Sequence, residues 1–238
     1  LLAGAALALH FWAWMRSPDL TSVASSTLFV TTTPFWVALA APLLRHEDKL
    51  DRRGWAGMAV ALVGAAVIAA GLRAAGPETP VSPAGIGLAT VGAWLMATYL
   101  VASRRARQLM DLAPFAAGAN AVAALVLLAV TLALGEPLGG FGTRTLVLLL
   151  ALALLPQLIG HNALLWAVRT LGAAVVALVV LLEPVGASVL AWALLDEAPT
   201  RHEIAGGLLL LLGLALVVRA RRRRAVPQEP DAPVPAIS

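Results

Sequence analysis

The sequence carries one membrane pattern twice, at a separation of about 150 residues. Pro34 is followed 13 residues later by Glu47, and Pro184 is followed 13 residues later by Glu197. Beyond each glutamate a short polar loop leads into another apolar helix with two glycines seven apart, Gly57 and Gly64 in the first copy and Gly206 and Gly213 in the second. Ahead of each proline stands a histidine with a tryptophan a turn or so later, His10 with Trp14 and His161 with Trp166. Duplication on this scale points to a secondary transporter whose halves rock around a shared central site.

A soluble fold is excluded by composition. Hydrophobic residues make up 60% of the chain and charged ones 13%, against about 25% charged in ordinary globular domains. Whole segments are apolar all round, where a soluble helix would show a stripe. Cysteine is absent, which removes disulfides, thiolate metal sites and cysteine nucleophiles. No cleavable signal-peptide pattern is visible.

Crossing roughly 30 Å of hydrocarbon takes about 20 apolar residues at 1.5 Å each. Eight segments meet or approach that length, over 1–15, 21–44, 54–72, 84–103, 113–134, 145–167, 171–195 and 203–219. The expected architecture is an all-α, polytopic membrane helix bundle with inverted repeats and eight transmembrane helices. Residues 1–73 form a first, partial repeat of three helices, 74–83 a linker with Gly76, Pro77, Pro80 and Pro83, and 84–219 a second repeat of five helices. Residues 220–238 form a basic and proline-rich tail without structure of its own.

Under strict alternation, 13 of the 17 basic residues fall on one side of the membrane, among them Arg45, Arg104, Arg107, Arg169 and Arg221 to Arg224. Arg16, Arg73, Arg144 and Arg201 fall on the other. The positive-inside rule then puts the C-terminus in the cytoplasm. Segments 21–44 and 171–195 lie five spans apart, an odd number, so they cross in opposite directions and the repeats are inverted. The basic excess is read as orientation and not as nucleic-acid binding.

Several residues carry chemistry. On a continuous helix at about 100° per residue, Thr21, Ser25 and Thr32 share a face with Ser22, Ser26 and Thr33 alongside, a stripe about 140° wide. Those hydroxyls either line a substrate path or let helices approach closely. Pro34 and Pro184 each remove a backbone donor and free the carbonyl of Val30 or Val180, and a cavity with water or substrate can satisfy such groups. Glu183 stands about 12 residues into its helix, roughly 18 Å deep. A carboxyl there faces the bundle interior as a proton-coupling or cation-binding group, or stays protonated against a neighbouring helix. His10, Trp14, His161, Asn162 and Trp166 are candidates for substrate contact by hydrogen bonding and stacking, or else interior and interfacial anchors. Asn120 and Gln157 are weaker candidates. Glu47 and Glu197 lie at membrane borders, where helix-end contacts are the expected role. No catalytic set, phosphate loop or metal-ligand spacing is present, so neither an enzyme nor a cofactor is expected.

At these residues the chain resembles the EamA-type carriers of the drug/metabolite transporter superfamily. His10-Phe11, Trp14, Thr21 to Ser26, Thr33-Pro34, His46-Glu47, Gly57 and Gly64 resemble that family's third to fifth helices. His161-Asn162, Trp166 to Arg169, Glu183 to Gly186, Asp196-Glu197 and Gly206-Gly207 resemble its eighth to tenth. The family more usually has glycine before the border glutamate, where this chain has His46 and Asp196. Such carriers have ten helices, so the family's first two are expected to lie outside this chain.

The resemblance implies a secondary membrane transporter of a small metabolite or drug-like compound, a proton-coupled exporter working by alternating access in the inner (plasma) membrane. Its expected partners are the small-molecule substrate and membrane lipid, with a homodimer left open. The alternatives are a membrane-embedded enzyme acting on a lipid, through His10, His161 or Glu183, and a non-transporting scaffold.

Overall fold

The computed structural model describes residues 1–40, 50–75, 82–196 and 198–225. Glu47, Glu197, most of the linker and the tail beyond residue 225 lie outside the described residues. Among the described residues every regular element is helical.

The first half holds α1 (Leu2–Arg16), α2 (Val23–Val30), α3 (Thr33–Leu39) and α4 (Arg52–Ala75). The second holds α5 (Pro83–Ala106), α6 (Leu112–Leu134) and α7 (Thr143–Leu152), then a π-helix (Ala153–His161) and α8 (Asn162–Leu171). It ends with α9 (Ala173–Val180), α10 (Glu183–Leu195) and α11 (Arg201–Ala225). Five stretches of the described residues are long and apolar enough to cross a membrane: Arg52–Gly71, Pro83–Ala106, Leu112–Leu134, Thr143–Leu171 and Arg201–Ala220. The other three expected spans are the short α1 and two helices that the structure breaks in the middle.

Those two breaks correct the expectation of continuous helices over 21–44 and 171–195. The first falls at Thr31 and Thr32, the second at Leu181 and Leu182. In each case a proline is the second residue of the helix that resumes, where its missing N–H costs nothing within that helix. The preceding turn tightens, with Thr32 N donating to Phe29 O and Leu182 N to Val179 O. The segment expected to be regular over 145–167 also departs from it. Pro156 sits inside the nine-residue π-helix, where a proline disrupts the normal α ladder. At the C-terminus α11 runs on through Arg219 to Ala225, past the expected end at 219, because arginine is a good helix former.

Local caps explain the helix starts. Ser22 Oγ accepts from Ser25 N at 3.1 Å ahead of α2, and Asp51 Oδ1 accepts from Gly54 N at 2.7 Å ahead of α4. Before α11, Thr200 and Glu203 form a reciprocal capping box, at 2.7 and 3.2 Å. Gly135 closes α6 with φ +69°, a backbone that side chains with a Cβ adopt at a cost.

Packing divides into two clusters. In one, α1 lies against α5 and α6, with Leu7, Val37, Tyr99, Leu100 and Val176 buried together. In the other, α4 lies along α11, with Ala61, Ile68, Leu178, Leu210 and Val217 buried. The glycines singled out in the sequence mediate that second contact. A Cβ added at Gly64 would lie 2.6 Å from Gly206 O, and one at Gly57 would lie 2.8 Å from Gly213 O. The reversed order of the two pairs makes α4 and α11 antiparallel, and only residues without a side chain allow the backbones so close.

Candidate functional site

A cavity of about 370 Å³ opens where the two helix breaks face α1, α5 and the π-helix. It lies within the range of small-molecule sites. From α1 come His10, Phe11 and Trp14, from the first break Val30, Thr31, Thr33 and Pro34, and from α5 Met96. The π-helix supplies Pro156, Gly160 and His161, and α8 supplies Leu164. The second break supplies Val179, Val180, Leu181 and Glu183.

The two breaks enter the cavity at matching steps. Val30 and Val180 end the first helical pieces, and Thr33 and Glu183 begin the second. Pro34 removes a donor from the Val30 carbonyl, and the Thr33 hydroxyl replaces it, donating at 2.8 Å with Ala93 O 3.5 Å away. The freed carbonyl is therefore satisfied inside the protein. Glu183 occupies the corresponding place beside Val180, at the cavity and exposed at its margin.

The two histidines are held differently. His10 is buried, with Nδ1 2.8 Å from Gly92 O of α5 and its ring stacked on Trp14 at 5.8 Å between centroids. A carbonyl only accepts, so Nδ1 carries the proton and the neutral ring leaves Nε2 as an acceptor. His161 Nδ1 lies 3.4 Å from Pro156 O, within the widened turn of the π-helix. Its Nε2 is enclosed and has no hydrogen-bond partner among the described residues. Phe11 and Tyr99 flank that ring at 5.5 and 6.1 Å.

Six of the sequence candidates thus meet at one cavity: His10, Trp14, Thr33, Pro34, His161 and Glu183. The others go elsewhere. Thr21 is buried against Gly85 of α5, Ser22 caps α2, and Ser25 accepts a hydrogen bond from the Ser22 hydroxyl at 2.9 Å. Ser26 pairs with Ser17 at 2.5 Å. Thr32 accepts the Trp36 indole N–H at 3.1 Å. Asn162 is partly buried outside the cavity lining, and Trp166 is 63% exposed on the outer face of α8. Pro184 directly follows Glu183 at the second break.

Thr31 and Pro156 escaped the sequence reading, and Phe11 entered it only through the family resemblance, not as a candidate for the site. Phe11 also lines a second cavity of about 410 Å³, where Gln157 Nε2 donates to Asn120 Oδ1 at 3.1 Å. Arg104 and Arg107, counted in the sequence only for orientation, are buried. Arg104 donates to the carbonyls of Val168 and Arg169, and Arg107 to that of Leu165 at 3.3 Å. The Val168 and Arg169 carbonyls lie in the last turn of α8, where no donor remains within the helix. Among the described residues no three His, Asp or Glu side chains come together as metal ligands.

Comparison with known proteins agrees with this architecture. A protein of solved crystal structure superposes with a TM-score of 0.76 at 22% identity, over 94% of this chain and 77% of that one. At that identity the likeness is one of fold. No curated protein matches the sequence. The family model of the EamA-like transporters matches residues 83–219, more than half of the chain. With its apolar helices and two broken helices around a cavity, the chain is a multi-pass membrane protein that belongs to the EamA-like transporter family.

Proposed function

We propose that this chain forms the substrate-binding body of a proton-coupled exporter of a small metabolite or drug-like compound. The observation that carries this reading is the meeting of two proline-broken helices, one from each half, at a cavity lined by His10, His161 and Glu183. Broken helices with a site at their interruption are the usual construction of secondary carriers. The antiparallel pairing of α4 with α11 through Gly57–Gly213 and Gly64–Gly206 supports inverted repeats, which make alternating access an exchange of conformations between halves.

In this mechanism Glu183 is the coupling carboxylate. It binds a proton or a substrate group in one orientation and releases it in the other. The expected topology has a cytoplasmic C-terminus in the inner membrane, from the 13 against 4 division of basic residues. The test compares metabolites released by cells expressing wild type or Glu183→Gln. A compound enriched outside wild-type cells alone supports export through that carboxylate. Equal profiles, with both proteins folded in the membrane, defeat the reading.

A further inference from the structure

The donor and acceptor inventory of the cavity restricts what it can hold. The Thr31 hydroxyl donates to Leu28 O and the Thr33 hydroxyl to Val30 O, each at 2.8 Å. His10 Nδ1–H is committed to Gly92 O, and His161 Nδ1–H faces Pro156 O. With the imidazoles in their neutral form, what these groups leave over is acceptors: His10 Nε2, the lone pairs of the two hydroxyls and, enclosed behind them, His161 Nε2. Glu183 in its ionised form adds a carboxylate, which accepts only. The indole N–H of Trp14 is the one remaining side-chain donor in the lining, and neither lysine nor arginine lines the cavity among the described residues.

Resting on the carrier reading above, we propose that the substrate is a compact organic amine, carrying a protonated primary or secondary amino group on an apolar or aromatic body. An ammonium supplies two or three donors to a site that offers acceptors. It neutralises Glu183, whose charge at membrane depth otherwise needs a partner. The Phe11 and Trp14 rings add a surface attractive to a cation, and the apolar walls from Met96, Leu164 and Val179 receive the body. A carboxylate or phosphate finds the opposite situation. It meets the Glu183 charge and one indole donor, with no cationic side chain to balance it. A zwitterionic amino acid carries the same penalty at one of its ends.

The test uses three ligands of nearly equal shape, phenethylamine, phenylalanine and 3-phenylpropionate, titrated calorimetrically into the purified protein in nanodiscs at neutral pH. Phenethylamine is expected to bind at least ten-fold more tightly than either of the others. Glu183→Gln is expected to lower its affinity at least ten-fold, with Glu183→Asp retaining the preference for the amine. Equal or tighter binding of 3-phenylpropionate overturns the assignment, as does unchanged phenethylamine affinity in Glu183→Gln. Wild-type protein that binds none of the three while still exporting a metabolite from cells also overturns it, and leaves the carrier reading standing. Loss of that export difference defeats the carrier reading instead.

Discussion

Thr33 and Glu183 stand at the same step of two broken helices, three residues beyond Val30 and Val180 and one before Pro34 and Pro184. Both line the same cavity. Thr33 carries a permanent donor, and its hydroxyl closes the carbonyl that Pro34 leaves open at 2.8 Å. Glu183 carries a donor only when protonated. The two halves therefore share a backbone interruption but differ in chemistry at it. One break is closed by a hydroxyl, and at the other a carboxyl stands in the corresponding place.

Thr33→Val keeps the shape of the side chain and removes the hydroxyl. The Val30 carbonyl then loses its replacement donor, and the variant is expected to be less stable by about 1–3 kcal/mol. Thr33→Ser is expected to stay close to wild type. Thermal unfolding in detergent, followed by monodisperse protein remaining, distinguishes the two.

The α4–α11 contact predicts a contrast between glycines. A Cβ at Gly64 meets the Gly206 carbonyl at 2.6 Å and Leu210 N at 2.8 Å, both backbone atoms that cannot rotate away. Gly64→Ala is expected to lower stability by about 1–3 kcal/mol, the usual cost of overpacking. At Gly87 of α5 a Cβ meets nothing within 4 Å. Gly87→Ala is expected to be neutral or to stabilise by up to about 1 kcal/mol, since alanine is the better helix former. Melting temperatures of the two variants measure this directly.

Arg107 is 3% exposed and donates to the Leu165 carbonyl at 3.3 Å and to Met110 O at 2.5 Å. Arg107→Ala is expected to cost about 1.5–3 kcal/mol through lost charge-assisted bonds. Arg107→Lys is expected to recover only part of this, because an ammonium lacks the planar fork that reaches two carbonyls. Arg144→Ala is the control for charge alone, since Arg144 is exposed at the start of α7.

The hydroxyls on either side of α2 predict separable effects. Thr21 is buried against α5, whereas Thr33 lines the cavity. Thr21→Val is expected to alter stability while ligand affinity in the folded fraction stays within about two-fold, a difference below 0.5 kcal/mol. Calorimetric titration with phenethylamine reads that affinity, and a ten-fold loss in Thr21→Val would place the binding site elsewhere.

Local covalent chemistry made much of this protein legible in its sequence. Apolar runs of membrane length, proline at matching places and paired glycines each constrain the backbone wherever the chain goes. A lone acid deep in an apolar segment is costly enough to mark a site by itself. The hydroxyl stripe shows where that reasoning stops. The shared face of Thr21, Ser25 and Thr32 assumed one continuous helix, and the break at Thr31 and Thr32 resets the rotation. Thr33 and Thr31 therefore reach the cavity, while Thr21 and Ser25 do not line it.

An all-helical membrane chain, its duplicated pattern and the prolines at matching places were legible in the residues alone, because these follow from local composition and backbone chemistry. Only the tertiary structure decided that Phe11 would stand between two cavities, that Arg104 and Arg107 would hold the end of α8, and that Trp166 would face outward while Trp14 faces the site. Those outcomes depend on which helix lies opposite and at what rotation, and partners brought together from 58 or 64 residues away leave no local trace in the chain.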